Sequence, residues 1–249
     1  MLQFFHRVGA RQATPPEGDG RDILTERDPF TPIPPPLTEA GLAEAAGQLA
    51  RGDPDLARIL EVLGPPPLWS RPPGFATLVY IILEQQVSLA SARAAYTRLQ
   101  NRLGAITPQA FLTLDDAQLK AIGFSRQKSA YGRILAQAVL EQAIDLEGLA
   151  GLDDDGVRAE LTRLKGIGRW TSDIYLMEAL LRPDVWPDGD LALAAAVQRV
   201  KRLPSLPRPP ELAELGQRWR PWRAVAARLL WHFYLSGNNP FPPASTPGA

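Results

Sequence analysis

From Thr38 onward, apolar and polar residues follow one another with a helical period almost throughout. Ala, Leu and Arg dominate, and no β-branched run alternates as a strand would. Breaks fall at Gly52 to Pro54, Gly64 to Pro67, Arg71 to Gly74, Gly104 to Pro108, Gly123, Gly148 to Gly156, Gly166 to Gly168, Pro183 to Gly189, Pro204 to Pro210 and Pro221. They divide the stretch into about ten helices with short connections, so the fold class predicted is all-α. Ser88 precedes an apolar run where its hydroxyl can cap a helix, and Thr107-Pro108 pairs a cap with a proline at the first helical position. Asp153-Asp154-Asp155 suits a helix N-terminus; a metal site there would need further ligands from elsewhere in the chain. Residues 1–36 are rich in Pro, Gly and charge, lack a sustained period, and read as a disordered or loosely attached arm. The helical domain is then 37–236, with 237–249 a flexible tail.

Composition restricts the chemistry. A chain of 249 residues is long enough for one large core or two small domains. The absence of cysteine excludes a disulfide, a thiolate zinc site, an iron–sulfur cluster and a cysteine nucleophile. Two histidines, His6 and His232, are too few for a histidine metal centre. No run of about eighteen apolar residues offers a membrane span, and the N-terminal apolar stretch is too short for a secretory signal. These features predict a cytoplasmic protein with no membrane partner. The net charge of zero argues against coating nucleic acid by bulk attraction. Its distribution is uneven: residues 1–64 carry six basic against ten acidic side chains, net −4, residues 65–164 carry ten of each, and residues 165–249 carry eleven against seven, net +4.

The basic third begins within the most informative segment, Leu161 to Leu193. Two glycines in Leu164-Lys-Gly-Ile-Gly168 separate two helical runs. Such a turn leaves the backbone N–H groups of Gly166, Gly168 and Arg169 at a helix N-terminus, where unpaired donors and the helix dipole suit a phosphate. Some twenty residues on, Asp190 opens the next helix. As an N-cap it needs no further role, yet capping would also fix the direction of a catalytic carboxylate. Trp170, just after the turn, and Trp231 are likewise open: tryptophan is commonly core, but an exposed indole stacks well on a flat cationic heterocycle.

Four pieces carry a resemblance: Leu164-Lys-Gly-Ile-Gly-Arg-Trp-Thr-Ser172, Trp186-Pro-Asp-Gly-Asp-Leu-Ala-Leu193, Trp219-Arg-Pro-Trp-Arg-Ala224 and Ile82-Leu-Glu-Gln-Gln-Val-Ser88. In this order and spacing they resemble the helix–hairpin–helix DNA glycosylase superfamily, and within it the 3-methyladenine DNA glycosylase II (AlkA-type) branch, over about residues 70–236. The resemblance implies two helical subdomains with the hairpin and an active-site cleft between them. It implies Asp190 as the essential carboxylate and the amides of Gly166, Gly168 and Arg169 as phosphate contacts, with Lys165, Thr171 and Ser88 nearby on the DNA side. Gln86 falls where the family inserts a wedge into the gap left by a flipped nucleotide. Trp170, Trp231, Ile174, Leu191 and Phe75 fall at positions around the base pocket, Ile174 and Leu191 where some relatives carry tyrosines. Carbonyls of Thr162, Leu164 and Ile167 match a hairpin site for a structural Na+ or K+; no cofactor is otherwise implied.

Three departures define the chain further. Bifunctional members carry a Schiff-base lysine where Trp170 stands, so hydrolysis without AP-lyase activity is expected. The cluster-bearing branch is excluded by the lack of cysteine. The β-rich N-terminal domain of longer AlkA-type enzymes has no counterpart in residues 1–69, which points to a compact form. The implied partner is double-stranded DNA containing alkylated bases, bound by a monomer. A non-catalytic helix–hairpin–helix protein that binds DNA by shape is the alternative, and in it Asp190 would be a replaceable cap.

Overall fold

The computed structural model describes residues 33–237. Of the expected arm only 33–36 are among them, extended and exposed, and of the expected tail only Gly237; the rest of both lies outside the described residues. The chain forms α1 (Glu39–Gly52), α2 (Pro54–Leu63), α3 (Phe75–Glu84), α4 (Leu89–Leu103), α5 (Pro108–Leu112), α6 (Asp116–Ile122), α7 (Arg126–Leu140), α8 (Asp154–Thr162), α9 (Arg169–Glu178), α10 (Leu191–Lys201), α11 (Pro209–Gln217) and α12 (Arg223–Ser236). A 3-10 turn, Gly148–Gly151, precedes α8, and no strand occurs among the described residues.

One of the two helices beyond the expected ten has a local cause. The run after Pro108 divides because Asp115 forms a capping box with Gln118, each side chain bonding the other's backbone N–H, which starts α6 afresh. Other ends follow the expected chemistry: Ser88, Thr107 and Asp153 each accept from a backbone N–H three residues on. The acidic run is thereby accounted for within the protein. Asp153 caps α8, Asp155 pairs with Arg158 at 3.0 Å, and Asp154 lies 3.6 Å from Arg182.

α1, α2 and α12 pack on one another and α10 packs on α12. α3 packs against α4, α7 and α9, with α5 and α6 on α7 and α8 on α9. The central place of α3 follows from its sequence, FATLVYIILE, which is apolar on every side and buried over eight of its ten residues. The helices thus fall into two groups, and one apolar cluster runs through both, from Leu37 to Phe233. Arg228 on α12 fastens them together from inside: it donates to the carbonyls of Leu68 (3.0 Å), Ala224 (3.1 Å) and Met177 (2.6 Å). Burial lowers its guanidinium to about 10, and it stays charged at neutral pH with three carbonyl acceptors around it.

Candidate functional site

The hairpin is built from α8, the turn Arg163–Gly168 and α9. Leu164 N–H donates to the Leu161 carbonyl and Ile167 N–H to that of Leu164, which tightens the turn. Ile167 is its buried anchor. Gly166 sits at φ +101, and a Cβ on it would fall inside the Tyr131 ring, so both backbone and space demand glycine. Gly168 is different: its φ of −98 is open to any residue and a Cβ would meet nothing. What the missing side chain leaves there is room in front of the α9 N-terminus, which no side chain caps. The first-turn amides of α9 therefore face an opening that an anion can occupy. Across the hairpin, Arg158 Nε meets the buried Asp173 at 2.7 Å and locks α8 to α9. Lys165 and Arg169 are exposed on the outer side. Thr162 ends α8 with its hydroxyl donating to the Arg158 carbonyl, and in the turn the Leu164 carbonyl accepts from Ile167.

The loop from α9 to α10 is held by aromatic side chains. Trp186 is buried, donates from its indole to the Leu212 carbonyl at 2.9 Å, and lies 5.2 Å from the Trp219 ring. Gly216 permits this, because a Cβ there would come within 2.7–2.9 Å of the Trp186 indole. Asp184 takes a fork from Arg223 (2.8 and 3.0 Å). Trp219 donates to Asp53 and Trp222 to Gln48. The Trp219-x-Pro-Trp-Arg223 motif is thus the clamp that sets the loop, and Asp190 emerges at its end.

Asp190 caps α10, its Oδ1 accepting from the Leu193 amide at 2.6 Å. The same oxygen accepts from Trp231 Nε1 at 3.1 Å, and Oδ2 accepts from Trp170 Nε1 at 2.9 Å. Cap and candidate catalyst are therefore one group. The two indoles turn their N–H edges to the carboxylate and fix its plane without neutralising it. Oδ1 has both lone pairs engaged, whereas Oδ2 has one engaged and one available to a reacting group.

An open cleft of about 870 Å³ is lined by Trp69, Arg71, Tyr80, Glu84, Leu89 and Arg93 among others, with neither Asp190 nor its two indole partners on its wall. Trp69 connects it to Asp190, meeting the Trp231 ring edge-on at 6.5 Å. Tyr80 stacks on Tyr96 at 4.2 Å, and the Arg71 guanidinium lies 4.3 Å from the Tyr80 ring centre. Arg71 also grips Glu84 through two bonds (3.0 and 2.7 Å) and stands 2.7 Å from Glu178. Burial pushes the Glu178 carboxyl up to about 7 despite Arg71, with Glu84 and Asp190 adding repulsion.

The sequence-predicted residues do not all converge. Gln86 is exposed at φ +56, at the tip of the turn between α3 and α4, with Val87 and Leu89 beside it. Ser88 is exposed but its hydroxyl caps α4. Thr171 is buried under the hairpin. Ile174 lies in the core, whereas Leu191 is 75% exposed at the start of α10, so these two do not form a common pocket wall. Phe75 packs edge-on against Phe111 and lines a second cavity with Pro108 and Leu146, not the cleft at Trp69. Four contributors were missed. Trp69 lies in a proline-rich break that the helical period passes over. Arg71 and Glu84 are thirteen residues apart, across a turn. Gln85 looks identical to Gln86 in sequence, yet its amide donates to the Gly166 carbonyl (2.9 Å) and to Thr171 Oγ1 (3.0 Å).

With this geometry in view, comparison with known proteins is informative. Residues 79–221 match the family model of the HhH-GPD superfamily base excision DNA repair protein. A DNA-3-methyladenine glycosylase of Saccharomyces cerevisiae is 30% identical over 130 residues, 48% of this chain and 44% of the yeast protein. The chain spans about half the length of the curated relatives it matches. Among solved structures, the Schizosaccharomyces pombe 3-methyladenine DNA glycosylase in complex with abasic DNA superposes with a TM-score of 0.69 at 26% identity, covering 76% of this chain and 95% of the other. A DNA-3-methyladenine glycosidase from Bacillus halodurans gives 0.64 at 29% identity, covering 77% and 89%.

Proposed function

The chain belongs to the HhH-GPD superfamily of base excision DNA repair proteins, and on that premise we propose that it is a monofunctional DNA glycosylase releasing alkylated bases such as 3-methyladenine from duplex DNA. The observation that carries the reading is the Asp190 carboxylate, held by two indole N–H groups and an amide at the mouth of α10 with one oxygen lone pair left for chemistry. The matched relatives named as 3-methyladenine glycosylases support the substrate class.

A stacked base is out of reach, so the enzyme flips it at a cost of a few kcal/mol. The α9 amides hold the backbone, Gln86 enters the vacated stack, and its amide side chain hydrogen-bonds the orphaned partner. The half-buried indoles of Trp170 and Trp231, which flank the Asp190 carboxylate, receive the base, whose positive charge after alkylation suits their aromatic faces. Such a base leaves with little acid help. Asp190 Oδ2 stabilises the positive charge developing on the sugar and orients the attacking water. The Schiff-base position holds Trp170, and the Lys128 amine is bonded to the Leu83 carbonyl at 2.7 Å, which supports hydrolysis alone. The protein acts as a monomer on DNA in the cytoplasm.

The test is base release from duplexes carrying 3-methyladenine, 7-methylguanine, 1-methyladenine, 3-methylcytosine or hypoxanthine. Release of at least one alkylated base is expected, and borohydride should trap no enzyme–DNA adduct. Salt-dependent binding without release would point to the non-catalytic alternative.

A further inference from the structure

The turn between α3 and α4 holds two adjacent glutamines with opposite tasks. Gln86 points outward at φ +56, a left-handed conformation that a residue other than glycine keeps only when its surroundings impose it. Gln85 points inward. Both hydrogens of its amide nitrogen are used, one on the Gly166 carbonyl and one on Thr171 Oγ1. These acceptors flank the open N-terminus of α9, Gly166 before Gly168 and Thr171 in the first helical turn. A single side chain from the residue that follows α3 therefore spans the arc of amides that would face a phosphate. The same turn is tied at its ends, with the Leu83 carbonyl held by Lys128 Nζ at 2.7 Å and Ser88 capping α4. Between those ties, the Gln85 amide joins the backbone leading into Gln86 to the hairpin, beside the Gln85 N–H bond to the Ile82 carbonyl.

We propose that Gln85 is a positioning residue that couples phosphate capture at the hairpin to insertion of Gln86 into the base stack. The proposal rests on the base-flipping part of the reading above. A phosphate that orders Gly166 to Thr171 also orders the two acceptors of Gln85, and through them the left-handed residue next in sequence. Without those bonds Gln86 relaxes toward the extended region and withdraws from the wedge position. Phosphate contacts, made by backbone amides, are left as they were.

The substitution Gln85→Met keeps the length of the side chain and removes the donor. Single-turnover release of 7-methylguanine is measured from a fully paired duplex and from one with the lesion opposite an abasic gap, where little unstacking remains to be done. Loss of two hydrogen bonds should slow release from the paired duplex about tenfold, with release from the gapped duplex and binding of undamaged DNA within about twofold of wild type. Thr171→Val, which removes one acceptor, should slow the paired substrate about threefold and spare the gapped one. Equal slowing of both substrates would overturn the coupling, as would no slowing of either. The paired complex is also followed by the fluorescence of a 2-aminopurine placed next to the lesion in the same strand. A wild type that unstacks the base but releases none would defeat the glycosylase reading alone, and the coupling would then stand or fall on loss of the fluorescence rise in Gln85→Met. A wild type with no rise at all would defeat flipping and the coupling with it.

Discussion

Two helices of this protein begin after glycine-containing loops and treat their N-termini in opposite ways. α9 starts at Gly168 with no side-chain cap and open space in front of it, so its amides await an anion from outside. α10 starts at Asp190, which supplies its own anion to the Leu193 amide and receives two indoles besides. Trp170 in the first turn of α9 reaches across to that carboxylate. On the proposed reading the first terminus grips DNA and the second reacts, and the Trp170 indole links the two. The same backbone physics serves both, and the difference lies in which residue occupies the cap.

The comparison can be broken most severely, with the carboxylate left in place, by removing its orientation. Replacing both Trp170 and Trp231 by Phe keeps the rings and deletes the indole donors; base release should fall about a hundredfold with the melting temperature little changed. Within the hairpin the two glycines should separate cleanly. Gly166→Ala faces a positive φ and the Tyr131 ring together and should destabilise the fold by about 3 kcal/mol in urea unfolding. Gly168→Ala has no such conflict: stability should stay level or rise by up to about 1 kcal/mol, while affinity for duplex DNA falls about tenfold because the Cβ occupies the approach to the α9 amides. The smallest effect concerns Glu178 behind the site. Its carboxyl binds a proton more tightly in the folded protein, near 7 against an ordinary 4.5. The stability it contributes is therefore full below pH 4.5 and is lost as pH rises through 7. Glu178→Gln should flatten that decline in unfolding midpoints measured between pH 4.5 and 7.

Much of this was legible in the sequence because it is local. Helix starts at Ser88, Thr107 and Asp153 depend on a side chain and an amide three residues away, and the Gly166 turn on neighbours in the chain. The division of α5 from α6 was missed, although the Asp115…Gln118 spacing that causes it is a readable capping signal. What could not be read depends on distant approach. Trp170 and Trp231 lie 20 and 41 residues from Asp190, and no spacing rule says that their N–H edges turn to it. Nor does adjacency say which of Gln85 and Gln86 faces the protein; the fold of α3 against α9 decides it. Phe75 shows the reverse: its apolar character suits a core and a pocket equally, and the folded chain gives it both, edge-on against Phe111 and along the second cavity.

The central claim is that Asp190 is both the cap of α10 and the group that does the chemistry. Asparagine retains the cap, since its amide oxygen still accepts from the Leu193 N–H, but it removes the charge. The decisive measurement is single-turnover excision by Asp190→Asn on an alkylated duplex, taken alongside affinity for the same DNA. The account predicts excision reduced about a thousandfold with affinity retained. Excision at the wild-type rate would show that Asp190 is a cap and nothing more.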